Sequence, residues 1–148
     1  MTVGLKVSGI VIEIGPSSIL TALFSTIHFN LEDGQWGGIY PVLLKELYAG
    51  TLSAESGKAA LIEFNEVDYK FKEISPDKAV WDVKDLEMPR PNEFPFARDA
   101  KNLSEYFVTK SGKLLLPIIE SRLRLMIKHN KKMTIDSAFF KFLPPKQH

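Results

Sequence analysis

The feature that most constrains the fold of this chain is the recurrence of apolar residues at helical spacing, interrupted by short β-type runs. The segments with helical spacing are residues 17–32, 38–49, 53–74 and about 113–130. The segments rich in β-branched and aromatic residues, which predict strands, are residues 5–14, 79–83, 105–109 and 133–142. The order β-α-α-α-β-β-α-β predicts an α+β fold, in which about four helices pack on a small, mostly antiparallel sheet of about four strands.

Glycine and proline mark the ends of these segments. Gly9 interrupts the first run and predicts a bulge within a single strand, which we expect to lie centrally in the sheet. The glycine-rich stretch 34–38 predicts a helix–helix connection with positive φ angles, and Gly50 predicts the end of the second helix. Pro117 lies early enough in the last helix to be tolerated there.

A long irregular stretch is predicted between the second and third strands. Pro89, Pro91 and Pro95 exclude a helix interior and a central strand, so residues 85–102 are expected to form a proline-rich loop. Loops of this length are often functional. Residues 143–148, which include two prolines, are expected to be a disordered tail of a single domain spanning 1–148.

The composition excludes several classes of protein. The chain has no cysteine, so it has neither disulfides nor thiolate metal sites. Its first residues lack the pattern of a signal peptide, and no apolar run approaches the roughly 18 residues of a membrane span. These observations predict a cytoplasmic protein that does not insert into membranes.

The sequence gives little support for a catalytic or metal-binding site. His28, His129 and His148 do not form a zinc-type spacing, and no serine stands in a nucleophile-elbow context. Carboxylates near residues 82–87 could serve a small hydrolase, but a solvated strand edge explains them more simply. We therefore predict a protein that is not an enzyme and uses no cofactor, metal or small-molecule substrate.

Charge is distributed unevenly along the chain. Residues 1–74 carry five Lys and Arg against nine Asp and Glu, whereas residues 75–148 carry 14 against nine. The basic residues at 122–132 offer an alternative function, a small nucleic-acid-binding regulator that uses the face of Arg124, Lys128 and Lys131. Aromatic residues suited to base stacking are absent from that face, which favours a protein partner.

Three stretches of the chain, taken together, resemble a known family. The first comprises the opening run Gly4–Val7 and the segment Ser17–Ile19. The second joins Trp36-Gly37-Gly38-Ile39-Tyr40-Pro41 to Glu46-Leu47-Tyr48-Ala49-Gly50. The third joins Val80-Trp81-Asp82 to Tyr106-Phe107-Val108-Thr109. Their order resembles that of the immunity protein 70 family of bacterial polymorphic-toxin and contact-dependent inhibition systems, over about residues 3–130.

The resemblance implies a cytoplasmic protein that binds and neutralises the C-terminal domain of a cognate toxin, which in many such systems is a nuclease. Acidic side chains on the inhibitor would then steer association with a basic toxin cleft. The acidic candidates for toxin contact are Asp33, Glu63, Glu66, Asp68, Glu73, Asp82, Asp85 and Glu87. Trp36 is a further candidate, and Phe94 and Phe96 either anchor the partner or pin their loop to the core.

Overall fold

The structure is a computed structural model that describes residues 2–92 and 94–137. Four antiparallel strands form one sheet in the order β2-β1-β4-β3. The strands are β1 (Thr2–Val7), β2 (Ile10–Pro16), β3 (Thr51–Leu52) and β4 (Met133–Ser137). The predicted α+β class and the four-stranded antiparallel sheet are therefore confirmed.

The predicted single strand 5–14 is wrong, because the chain reverses in its middle. Ser8 and Gly9 have φ angles of 52° and 80° and form a two-residue hairpin turn between β1 and β2. Serine adopts positive φ less readily than asparagine, so the turn signal is weak in the sequence. β1 lies inside the sheet as expected, whereas β2 is an edge strand.

Three α-helices agree with the predicted periodicity. They are α1 (Ser17–Leu31), α2 (Gly57–Phe71) and α3 (Leu115–His129). A fourth helix, predicted over 38–49, forms a π-helix at Val42–Leu47, in which the Tyr48 N–H donates to the Leu43 carbonyl at 3.0 Å. Short 3₁₀ turns occupy Ala54–Ser56, Pro76–Lys78 and Leu103–Glu105.

Two predicted strands, 79–83 and 105–109, are also wrong. The first is irregular backbone that packs on α1, where the Thr26 hydroxyl accepts the Val80 N–H at 2.9 Å. In the second, a 3₁₀ turn leads into single bridges at Phe107 and Val108, outside the sheet. The apolar residues of these segments pack into the body of the protein without strand pairing in the sheet, and residues 106–109 are all buried.

The order of elements consequently differs from the predicted one. It runs β-β-α-π-β-α-α-β along the chain, apart from the 3₁₀ turns. The two-residue strand β3 had no sequence signal, and β4 lies between β1 and β3 rather than closing the sheet. The rest of the predicted strand 133–142 and the predicted tail 143–148 lie outside the described residues.

The hydrophobic core lies between one face of the sheet and the helices. β1 contributes its alternate residues Val3, Leu5 and Val7, which face the helices, while Lys6 is exposed. The apolar faces of the three α-helices and the leucines of the π-helix complete this core. Within residues 2–92 and 94–137, none of the helices combines the length and apolarity that a bilayer crossing requires.

Candidate functional site

Glu32, at the end of α1, organises the glycine-rich connection to the π-helix. Its side chain is fully buried, and its two carboxylate oxygens accept the backbone N–H groups of Gly37, Ile39 and Tyr40 at 2.9–3.0 Å. His28 donates to the same carboxylate from one turn earlier, at 2.7 Å. Gly34 and Gly37 have positive φ angles, as predicted for this connection.

A second carboxylate continues this arrangement into the π-helix. Glu63 on α2 accepts the N–H groups of Val42 and Leu43 at 3.2 and 2.9 Å. Since Pro41 has no N–H and Gly38 donates to Gln35, every backbone N–H from residue 37 to residue 43 has an acceptor. The position of the connection is therefore set by two carboxylates, one of which, Glu63, had been predicted to contact the toxin.

The π-helix and the Glu32 carboxylate together orient Trp36. Because the Tyr48 N–H bonds to Leu43, the Leu44 carbonyl accepts the indole N–H of Trp36 at 3.1 Å instead. The Trp36 ring lies 5.1 Å from the His28 ring and 5.6 Å from the Tyr48 ring. This half-buried tryptophan is thus held on two sides and by its only polar atom.

A surface pocket opens beside Trp36 and brings together two of the predicted contact residues. The pocket has a volume of about 310 Å³. It is lined by Thr21, Ser25, Trp36, Tyr48, Asp82, Val83 and Lys84. Trp36 and Asp82 had both been predicted to contact a partner. Thr21 and Ser25 had no signal in the sequence, and Tyr48 belonged to a stretch that carries the family resemblance but had not been predicted as a contact.

The acidic loop at the rim of this pocket is held by its own carboxylates. Asp82 Oδ1 accepts the Lys84 N–H at 2.9 Å, and Asp85 Oδ1 accepts the Glu87 N–H at 3.2 Å. The Ser25 hydroxyl accepts the Val83 N–H at 3.0 Å and ties the loop to α1. Asp85 and Glu87 are exposed, so their charges face solvent next to the pocket.

The proline-rich loop is attached to the body of the protein by aromatic packing. Phe94 is only 6% exposed and meets the ring of Trp81 edge-on at 4.8 Å. Phe96 is half-buried against Tyr106, and Arg90 lies over its ring at 4.0 Å. Of the two phenylalanines, only Phe96 has surface available to a partner without rearrangement of the loop.

The remaining acidic candidates lie apart from the pocket lining. Asp33 is exposed on the Glu32 connection. On α2, Glu66 accepts the Tyr40 hydroxyl at 2.6 Å and Lys70 at 3.4 Å, and these hydrogen bonds, Tyr40 first, lower its pKa. Asp68 accepts the Ser104 hydroxyl and pairs with Lys72, whereas Glu73 is exposed.

The basic end of α3 is less open than the sequence suggests. Arg122 is buried and donates to the carbonyl of Ile10, the first residue of β2, at 3.3 Å. Arg124 pairs with Glu120 at 2.8 Å, so its charge is partly compensated. Lys128, Lys131 and Lys132 stay exposed, but three lysines make a small surface for a phosphate backbone.

The carboxylates of Glu32, which is buried, and of Glu63, which is half-buried, predict opposite responses of stability to pH. Burial would raise the pKa of Glu32, but the hydrogen bonds from His28 and three N–H groups hold it below its usual value. Burial raises the pKa of Glu63, and its two backbone hydrogen bonds offset only part of that. A carboxylate whose pKa is lower in the folded state than in the unfolded state stabilises the fold, and this stabilisation is lost as the pH falls through the folded-state pKa. A carboxylate whose pKa is higher in the folded state stabilises the fold when protonated, and this stabilisation is lost as the pH rises through the folded-state pKa.

We therefore expect the Glu63→Gln and Glu32→Gln variants to diverge in acid. Between neutral pH and about pH 4.3, the usual glutamate pKa, wild type should gain stability relative to Glu63→Gln as Glu63 takes up a proton. The difference between wild type and Glu32→Gln should stay constant over that range and shrink only below it. Urea unfolding at several pH values measures both differences, and parallel curves would contradict the assignment.

The pocket beside Trp36 and the acidic loop next to it are the candidate site of this fold. Among the described residues, no group of three or more His, Asp or Glu side chains could hold a metal ion. The chain belongs to the Immunity protein 70 family, whose model matches residues 5–135. This confirms the resemblance, and membership implies that the chain binds a cognate toxin protein; such families are generally not enzymes. No curated protein and no solved structure matches the chain.

Proposed function

We propose that this protein neutralises a bacterial toxin by binding the toxic domain tightly in the cytoplasm of the cell that produces both. The observation that carries this is the family match over residues 5–135. The toxin is one delivered between neighbouring cells, of the contact-dependent or polymorphic kind. Inhibition of this kind requires only the association of the two proteins.

We propose that the toxin contacts the face around the pocket. Trp36 supplies a rigid aromatic group, and tryptophan is among the residues that contribute most to the free energy of binding at interfaces. Asp33, Asp82, Asp85 and Glu87 supply negative charge on or beside the same connection and loop. Glu63, Glu66, Asp68 and Phe94 are left out of this face, because their side chains contact other elements of the protein. The carboxylates of Asp82 and Asp85, in contrast, bond only within their own loop.

The function is tested by expressing the chain together with the toxin domain encoded immediately upstream of its gene. We expect survival of cells that otherwise die, and a complex of the two purified proteins with a dissociation constant in the nanomolar range, about 10⁻⁹ M. An interface of about 1,600 Å² is sufficient for such affinity. Survival without complex formation, or a complex that leaves the toxin active, would contradict the proposal.

Association with the toxin should depend on the acidic loop. We expect Asp85→Asn combined with Glu87→Gln to slow association about fivefold at low salt, because the loop charges steer a basic partner. Asparagine keeps the hydrogen bond that Asp85 Oδ1 makes, so the loop should keep its shape. The difference should shrink at high salt, and Glu13→Gln, on the hairpin, should leave the rate unchanged. Equal rates for wild type and the double variant at low salt would remove this loop from the interface.

A further inference from the structure

We propose that the pocket beside Trp36 receives an arginine side chain of the toxin. The inference rests on the proposed function, since it names the chemistry of the partner at one point of that interface. It is carried by three properties of the pocket and its loop: two aromatic walls, the Asp82 carboxylate with one oxygen free, and the exposed carboxylates of Asp85 and Glu87 further along the loop. Each of these properties favours a planar cation over an apolar or anionic group.

The aromatic walls suit a guanidinium group. Trp36 and Tyr48 stand with their ring centres 5.6 Å apart and their planes inclined at 56°. A cation over the face of tryptophan or tyrosine is attracted by the ring quadrupole, and arginine stacks in this way more often than lysine. The hydrogen bond from Trp36 to Leu44 fixes one wall, so the site does not need to be assembled upon binding.

The Asp82 carboxylate offers the pocket a free acceptor. Asp82 uses Oδ1 for the Lys84 N–H, and Oδ2 has no hydrogen-bond partner among residues 2–92 and 94–137. The hydroxyls of Thr21 and Tyr48, which also line the pocket, hydrogen-bond to each other at 3.1 Å, and the Thr21 hydroxyl donates to the Ser17 carbonyl at 3.4 Å. A guanidinium group presents five N–H donors and no acceptor, and it pairs well with a carboxylate.

Size and charge agree with one inserted side chain. A volume of about 310 Å³ is at the lower end for ligand pockets, which span roughly 300–1,000 Å³, so the pocket suits part of a larger partner. Asp85 and Glu87, exposed on the same loop, add negative charge to that of Asp82. An arginine is the interface residue that combines this charge with affinity for aromatic faces.

The positive charge of Lys84 should repel a cation in the pocket, so a Lys84 variant tests whether the bound group is positively charged. Lys84 lines the pocket and is exposed, and its ammonium group has no ion pair in the described part of the chain. Its positive charge should weaken the binding of any cation to the pocket. Removal of that charge should consequently strengthen binding, which is the opposite of the usual effect of an interface mutation.

The pocket can be tested without the toxin. N-acetyl-arginine methylamide is titrated into the protein while the indole N–H signal of Trp36 is followed by NMR. We expect the Trp36 signal to shift and saturate as the arginine compound is added. The citrulline analogue, which has the same shape but no charge, should bind with an affinity at least fivefold lower. Equal binding of the two compounds, or no shift of the Trp36 signal at tens of millimolar arginine, would overturn the proposal.

Variants then connect the probe to the pocket. We expect Asp82→Asn to weaken binding of the arginine compound about fivefold and Lys84→Gln to strengthen it about twofold, whereas Glu13→Gln should bind like wild type. Thermal unfolding of each variant checks that it is folded. Tyr48→Phe keeps the ring but loses the hydroxyl, and we expect it to lower the affinity for the arginine compound as well. Unchanged affinity in Asp82→Asn and Tyr48→Phe alike would place the arginine elsewhere.

The same variants in the complex separate the two proposals. If the toxin binds wild type tightly and Asp82→Asn about tenfold more weakly, both are supported. If Asp82→Asn binds the toxin as tightly as wild type, the pocket proposal is overturned and the immunity function stands. If wild type binds no toxin while the arginine probe still binds, the immunity function fails and the pocket retains its preference for arginine.

Discussion

Replacement of Glu32 with glutamine is expected to lower the free energy of unfolding by about 3 kcal/mol at pH 7. The carboxylate accepts three backbone N–H groups and His28 with no side-chain exposure to water. An amide of the same shape has one oxygen only, so its NH₂ group would face donors, and at least one buried N–H would lose its acceptor. Urea unfolding, followed by circular dichroism, measures the change.

A matched control is available on the exposed surface. Glu73 is exposed after the end of α2, and Glu73→Gln should change stability by less than about 0.5 kcal/mol. A second readout follows from the position of Trp36, whose fluorescence should change in Glu32→Gln even in the folded state, because the connection that carries it loses its anchor. A loss of stability below about 1 kcal/mol in Glu32→Gln would mean that the carboxylate does not organise the connection.

Phe94→Ala is expected to lower the free energy of unfolding by about 3 kcal/mol, the lower end for a buried phenylalanine. The ring is 6% exposed and fills the space beside Trp81, so its removal leaves a cavity under the proline-rich loop. The measurement is again urea unfolding, with Trp81 fluorescence as a local reporter. The result decides whether the residue pins the loop or serves as an anchor for the partner.

Phe96→Ala provides the comparison. Its ring is half-buried under Arg90, so we expect a loss of about 1 kcal/mol, which is typical of a partly exposed contact. If Phe94→Ala instead left stability unchanged and weakened toxin binding, the loop would have to open in the complex. That outcome would restore Phe94 to the interface, from which its burial now excludes it.

The helices were predictable because they bury a periodic face. α3 follows the 3.6-residue pattern of its apolar residues closely, whereas α1 is buried on all sides from Ala22 to Ile27. The structure places the ends of both helices within two residues of the predicted ones. Such a pattern is local and survives in any tertiary context that covers one side of the helix. The strands lack this advantage, because a short run of apolar residues has the same composition in a strand and in a packed loop.

The errors in the strands have separate physical causes. The reversal of the chain at Ser8-Gly9 depends on a serine with a positive φ angle, a conformation that serine seldom adopts. β3 consists of two residues, and only its pairing with β4 makes it a strand. At Val80, the backbone pairs with the side chain of a threonine on α1, so alternation along 79–83 arises without a neighbouring strand.

The site was predictable only in part. Trp36 and Asp82 were chosen through a family resemblance, and the structure brings them into one pocket. Tyr48, Thr21 and Ser25 could not be chosen, since their proximity depends on how α1 packs against two distant segments. The role of Glu32 could not be predicted either, because a carboxylate before a glycine-rich stretch is common. Its hydrogen bonds to the backbone of residues 37–40 are visible only in the structure.

The position of β4 between β1 and β3 affects when the protein becomes able to act during its synthesis. The inner strand β1 obtains its second neighbour only after Met133–Ser137 has emerged from the ribosome, roughly 130 residues later. Until then the nascent chain carries an unpaired β1 edge, and pairings of such long sequence separation form slowly. We therefore expect only chains translated past Ser137 to complete the sheet, and chains on ribosomes stalled before β4 to remain incompletely folded.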